Sequence, residues 1–256
     1  MGAEDRSFID GMHLRRNSFT QWLMKNLAII PARSGSKGLK DKNIKLMNGK
    51  LLLAYSIDAA KESGLFAEIM VSTDSQKYAN IAVEYGASVP FLRSTENSSD
   101  NASSWDTVLE VIYKYRKMGR EFDTVCLLQP TSPLRTGDDI VGAYKLFQEK
   151  NVNAVTSVCE VDHSPLWTMT LDDDRMLTEF RNRHTDVLRQ KLEIFYRING
   201  AIYIRKIEYN ADNIRVKDDK ECAFIMDKRR SVDIDSEFDF ELAKILSSEK
   251  YFLCYE

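Results

Sequence analysis

The stretch Leu27-Ala28-Ile29-Ile30-Pro31-Ala32-Arg33-Ser34-Gly35-Ser36-Lys37-Gly38-Leu39-Lys40-Asp41-Lys42-Asn43 decides how the chain is read. Residues 27–30 form a continuous apolar run, the pattern of a strand buried in a parallel sheet. The run breaks into a small, basic loop at 32–38. Gly35 and Gly38 let the backbone turn tightly and come close to a ligand. Ser34 and Ser36 add hydroxyl donors, and successive loop N–H groups can form an anion nest. Arg33, Lys37, Lys40 and Lys42 put four positive charges within ten residues. Open α/β sheets bind ligands where such a loop leaves the carboxyl edge of a strand. The expectation is a polyphosphate cradle; the alternative is a solvated basic turn. Gly38 is followed by Leu39-Lys40, so the loop is no Walker A, and G-x-G-x-x-G is absent.

Outward from this loop, apolar periodicity predicts helices over 51–64, 75–86, 104–118, 136–149 and 236–246. Strands are expected at 66–73, 88–92, 123–128, 152–159, 200–204 and 231–235. This alternation implies α/β architecture with a doubly wound, mostly parallel sheet. The pattern changes at Glu160. Residues 160–197 carry Pro165, Trp167, Asp172-Asp173-Asp174 and then Arg181, Arg183, Arg189 and Lys191. They read as a lobe added to the sheet, or as an irregular surface insertion. Residues 1–25 read as a leader or loose extension outside the main domain, 26–256.

The chain has 256 residues, 43% hydrophobic and 29% charged, with a net charge of −3. That length suits one medium domain with an inserted lobe. The balance excludes electrostatic binding of nucleic acid by the molecule as a whole, so any polyanion is held by a local basic cluster. No apolar run has the length of a membrane span. Cys126, Cys159, Cys222 and Cys254 are scattered without a C-x-x-C, which suits a cytoplasmic protein with buried thiols. His13, His163 and His184 lack metal-ligand spacing.

Asp233 and Asp235 are two apart, a spacing that puts both carboxylates on one face of a strand. Hard oxygens so placed suit Mg²⁺; the alternative is an acidic strand end that caps the next helix. Gln129, in Gln129-Pro130-Thr131-Ser132-Pro133, follows a buried strand, and its amide can donate and accept at once to a sugar. The alternative there is a Pro-rich turn. Arg135 fits substrate binding or structural pairing equally well.

The opening motif resembles the signature of the CMP-sialic acid synthetase (acylneuraminate cytidylyltransferase) family. Further stretches match in order: Val71-Ser72-Thr73-Asp74; Ser99-Asp100-Asn101-Ala102-Ser103-Ser104; residues 127–135; Asn199-Gly200-Ala201-Ile202-Tyr203-Ile204; and Ser231-Val232-Asp233-Ile234-Asp235. The resemblance covers roughly residues 26–250. It implies a Rossmann-like nucleotidyltransferase that joins CTP to a nine-carbon 2-keto sugar acid, releasing pyrophosphate. It also implies Mg²⁺ on Asp233 and Asp235, and a homodimer built through the 160–197 lobe. Arg33, Lys42, Asp233 and Asp235 become the expected catalytic set. Ala32, Arg33, Ser34, Gly35, Ser36, Lys37, Gly38, Lys42, Asn43, Arg93, Ala102 and Ser104 are expected at the nucleotide. Gln129, Ser132, Trp167, Arg197 and Tyr203 are expected at the sugar. Several sialate-activating members carry a Lys after His-x-Pro-Leu, where this chain has Trp167. The change implies a legionaminic-type acid with fewer hydroxyls, or an aromatic packed into the subunit interface. Alternatives within reach are a Kdo- or GTP-using nucleotidyltransferase and a non-enzymatic nucleotide-binding module on the same fold.

Overall fold

A computed structural model of the protein describes residues 24–35, 39–99, 102–168, 170–171, 173–175, 192–211 and 213–248. In chain order the elements are β1 (Asn26–Pro31), β2 (Leu46–Met47), β3 (Lys50–Leu51), α1 (Leu52–Ser63), β4 (Phe66–Ser72), α2 (Gln76–Glu84) and α3 (Ser104–Lys117). There follow β5 (Thr124–Leu127), α4 (Gly137–Glu149), β6 (Ala154–Glu160), β7 (Tyr196–Tyr209), β8 (Ile214–Val216), β9 (Glu221–Ile225) and α5 (Glu237–Leu246).

The apolar run of β1 is buried because it faces helices on both sides. Ala28 and Ile30 pack with Leu53 and Ile57 of α1 and with Ile140 and Tyr144 of α4. Leu27 and Ile29 pack with Val108, Val111, Ile112 and Tyr115 of α3. Each such buried side chain stabilises the fold by about 1.5–3 kcal/mol. Helix starts follow local chemistry. Ser103, Thr136 and Ser236 each form a capping box with the Asp three residues on, at α3, α4 and α5. Among the described residues no helix is long and apolar enough to cross a membrane.

The main sheet runs β4-β1-β5-β7-β6-β9, with β8 paired to β7. β1 is parallel to β4 and β5, and β6 is parallel to β9. β7 is antiparallel to β5, β6 and β8. The sheet is therefore mixed and mostly parallel, with β7 the one strand that runs against its neighbours.

Three strand expectations need correction. Residues 88–92 contribute one bridge, Ser88 to Met70, because Pro90 has no N–H to extend a ladder. Residues 200–204 are the centre of a strand fourteen residues long. Residues 231–235 are not a strand. Val232 and Ile234 are buried while Asp235 is exposed, which imitates strand alternation. Yet Ile234 N–H bonds to the Thr131 carbonyl (2.8 Å) and Ser231 N–H to Lys228 (3.0 Å), so no ladder forms.

Candidate active site

The basic loop is anchored at both ends. Ala32 N–H donates to the Ser72 carbonyl at 2.9 Å. The Ser34 N–H and hydroxyl both donate to Asp74, at 2.8 and 2.9 Å, so Asp74 holds the donors that a bare cradle would offer an anion. Gly35 adopts φ +76°, a conformation that favours glycine. Ser36, Lys37 and Gly38 lie outside the described residues. At the far end, Tyr78 donates to Asp41 at 2.9 Å, and Asn43, buried, donates to the Arg33 carbonyl at 3.1 Å. Burial and the neighbouring Asp41 carboxylate push the Tyr78 phenol well up, so it stays a donor.

Arg93 is placed by the end of β4. Its N–H bonds to the Thr73 carbonyl (2.8 Å) and its Nε to the Ser72 hydroxyl (3.1 Å). Burial lowers its pKa to about 10, with Asp74 and Glu110 opposing, so it remains a cation at neutral pH. Arg33 donates to the Ser98 carbonyl at 3.3 Å. Residues 102–104 sit at the N-terminus of α3, whose dipole favours anions, although the capping box already takes the Ser103 and Asp106 N–H groups.

These parts enclose a cavity of about 410 Å³. Arg33, Lys42, Asn43, Arg93, Ala102 and Ser104 line it, joined by Gln129 and Asp235. Six residues expected at the nucleotide, one expected at the sugar and one expected metal ligand thus share one cleft. Asn97, Ser99, Ser103, Thr107, Pro130 and Thr131 also line it without having been singled out as site residues. The polar run 94–103 was the available signal for the first three, and the turn at 129–133 for the last two.

The floor beside this cleft is built around Gly200, which sequence reasoning left without a role. Opposite it β6 and β7 slip register: Thr156 pairs with Tyr203 but Val158 with Ile198, so Ser157 alone faces residues 199–202. Gly200 takes φ +74°, and a Cβ there would lie 2.8 Å from Gln129 Oε1, 2.9 Å from Ser132 Oγ and 3.2 Å from Asp233 Oδ2. A glycine inside a strand marks such a close approach. The neighbouring Asn199 amide, buried, accepts from Ser157 (2.6 Å) and donates to Ser231 (2.9 Å), which pins the bulge.

Ser132 donates to the Asn199 carbonyl at 3.0 Å, which engages its hydroxyl in the floor. Arg135 is structural: fully inside, it donates to the Ala201 carbonyl (2.8 Å), the Ser56 hydroxyl (2.7 Å) and the Gln129 carbonyl. Tyr203 meets Trp105 edge-on at 6.4 Å, and burial, then Asp233, raises its pKa. Arg197 donates to the Ser231 carbonyl at 3.0 Å. Trp167 closes a short 3-10 turn, Pro165–Trp167, and is not among the residues that line the cleft.

Asp233 and Asp235 do not share a strand face, yet they remain neighbours. Burial raises the Asp233 pKa and Asp235 adds to it, while Thr131, Lys42 and Arg197 oppose. Asp233 Oδ1 is buried without a hydrogen-bond partner. Asp235 reaches solvent and pairs with Lys42 at 3.3 Å. Among the described residues no cluster of three or more His, Cys, Asp or Glu could hold a metal by itself. An orphaned carboxylate oxygen beside a second carboxylate nonetheless fits Mg²⁺, which takes one or two carboxylates and completes its shell with phosphate oxygens and water.

A family model described as "Cytidylyltransferase" matches residues 27–253. The chain is 37% identical over 230 residues to a Legionella pneumophila protein named CMP-N,N'-diacetyllegionaminic acid synthase, covering 87% of this chain and 96% of that protein. It is 38% identical over 227 residues to an N-acylneuraminate cytidylyltransferase of Escherichia coli, covering 88% of this chain and 53% of that longer protein. Among solved structures its fold is similar to that of a CMP:2-keto-3-deoxy-manno-octonic acid synthetase complexed with CTP. The TM-score is 0.63 at 15% identity, over 88% of this chain and 99% of that one.

Proposed function

The chain belongs to the cytidylyltransferase family, and from that footing we propose that it joins CTP to a nine-carbon 2-keto sugar acid of the sialic or legionaminic type. The products are a CMP-sugar and pyrophosphate. One observation carries the reading: Arg33, Lys42 and Arg93 converge on the cleft that also holds Gln129, Asp235 and the N-terminus of α3. The names of the two sequence relatives supply the substrate class.

In this reading the triphosphate lies across the loop that starts at Ala32. Arg33 and Lys42 neutralise its charge, and Asn43 and residues 102–104 face the nucleoside. Gln129, with Ser132 and Gly200 behind it, orients the sugar acid, and Arg197, Tyr203 and Trp167 belong to the sugar side. The anomeric hydroxyl attacks the α-phosphorus in line and pyrophosphate leaves. These residues contribute position and charge, the usual means of catalysing phosphoryl-type transfer. Asp233 and Asp235 would hold Mg²⁺, which when bound lowers phosphate charge and the pKa of the attacking hydroxyl.

The working form we propose is a cytoplasmic homodimer. Ile198 and Ile225, both paired to Val158, expose apolar surface on one side of the sheet, next to where residues 160–197 leave it. Such a patch marks an interaction surface. Buried free thiols at Cys126 and Cys159 suit a reducing compartment.

The test is pyrophosphate release with Mg²⁺, crossing CTP and GTP with N-acetylneuraminate, a legionaminic-type acid and Kdo. Release with CTP and a nine-carbon acid is expected. Release with GTP alone, or with Kdo alone, overturns the reading. Sedimentation of the intact chain checks the dimer.

A further inference from the structure

We propose that Glu110 of α3, which does not line the cleft, is a positioning residue for nucleotide binding: its carboxylate shapes the 94–99 segment that walls the cleft. This rests on the nucleotide reading above and adds a residue to it.

Segment 94–99 is polar, joins no sheet ladder and has one short 3-10 turn, Glu96–Ser98, so side-chain bonds hold much of its shape. Those bonds converge on Glu110. Oε1 accepts the Ser94 N–H at 2.9 Å, and Oε2 accepts the Ser94 hydroxyl at 3.0 Å and the Asn97 amide at 2.6 Å. Lys114, one turn on, donates to Glu110 and to the Leu92 carbonyl (2.8 Å). The residues on either side of Arg93 are thereby tied to α3.

The tie continues into the cleft. Ser98 donates to the Ser94 carbonyl at 2.7 Å, and the Ser98 carbonyl receives Arg33 at 3.3 Å. Asn97 and Ser99 line the cleft themselves. One carboxylate thus supports the seat of Arg33, the backbone after Arg93 and the wall between them. Burial opposes its ionisation, but hydrogen bonds from Lys114, Asn97 and Ser94 hold its pKa down to about 2. At working pH Glu110 is a fixed anion that accepts bonds. It is not a proton-transfer group.

The experiment compares wild type, Glu110→Gln, Ser94→Ala and Ile112→Val in steady-state kinetics and in CTP calorimetry. Glu110→Gln turns one acceptor into a donor that faces the Asn97 and Ser94 donors. It should raise the CTP KM and Kd about tenfold, the size of a lost charge-assisted hydrogen bond. The kcat at saturating CTP and the KM for the sugar acid should stay within about twofold of wild type, as for an interaction equal in ground and transition states. Ser94→Ala should raise the CTP KM by a smaller factor, and it carries the test if Glu110→Gln does not fold. Ile112→Val trims the buried face of α3 and should lower the Tm without moving the CTP KM. An unchanged CTP KM in folded Glu110→Gln, or in Ser94→Ala, overturns the proposal. So does a CTP KM in Ile112→Val that rises as far as in Glu110→Gln, because the effect would then be general destabilisation. Wild type that neither binds nor turns over CTP would instead overturn the nucleotide reading.

Discussion

Lys42 and Asp235, which stand 193 positions apart in the chain, meet at 3.3 Å across the mouth of the cleft. The Lys42 side chain is 13% exposed and that of Asp235 is 84% exposed. An ion pair with so open a partner contributes roughly 0–1 kcal/mol, so an incoming phosphate can displace Asp235 at little cost while Lys42 stays held by the Ile234 carbonyl at 2.5 Å. Lys42→Met should lower kcat/KM by about 10²–10³, the scale of removing one preorganised charge donor. Asp235→Ala should abolish turnover. By circular dichroism Asp235→Ala should melt with wild type, while Lys42→Met, which also loses the bond to the Ile234 carbonyl, should melt lower yet stay folded at assay temperature; pyrophosphate release reads the activity.

Gly200→Ala tests the floor. The added methyl meets Gln129 Oε1, Ser132 Oγ and Asp233 Oδ2 while the backbone holds φ +74°. Strain of this kind costs about 1–3 kcal/mol before the side chains give way. The expected result is a lower urea midpoint, with the KM for the sugar acid rising more than that for CTP.

Arg135→Lys tests the buried cation behind Gln129. A lysine cannot reach the Ala201, Ser56 and Gln129 acceptors at once from a planar fork. Each buried acceptor left unpaired should cost about 1–3 kcal/mol, read from urea unfolding at pH 7.

Glu110 gives a pH-dependent prediction. Its folded pKa, about 2, lies below the ordinary 4.5. A depressed carboxylate adds stability above its unfolded pKa and loses it as pH falls through the folded value. The wild-type advantage over Glu110→Gln should therefore be constant from pH 7 to about 5 and shrink below about 4.5. A gap in urea midpoint that widens toward acid would contradict the assigned bonds.

Much of this arrangement was legible in the chain, because apolar runs and caps are local signals. β1 and the five helices follow from them, and six residues that the resemblance places at the nucleotide do line the cleft. Contacts that depend on distant partners were not legible. The carboxylate that holds Ser34 belongs to Asp74, forty positions on. The alternation at 231–235 imitates a strand, since burial can alternate without a ladder. β8 and β9 were missed because 214–225 is rich in charge, and one face of β9 meets solvent. Gly200 was visible as a glycine in an apolar strand, but the three side chains gathered against it come from elsewhere in the chain.

The cleft also has an order along the chain. Its cationic and helix-terminus parts, Arg33 to Ser104, come from the first half of the chain. The floor formed by Gln129, Ser132, Gly200 and Asp233 comes from the second, and Lys42 meets Asp235 where the two adjoin. If the proposed roles hold, exchanging residues 129–235 with a relative of different sugar preference should change the sugar acid accepted while CTP use stays as it is. The sheet sets the condition for such a hybrid, because β5 of the first half pairs with β7 of the second and a graft has to keep that register.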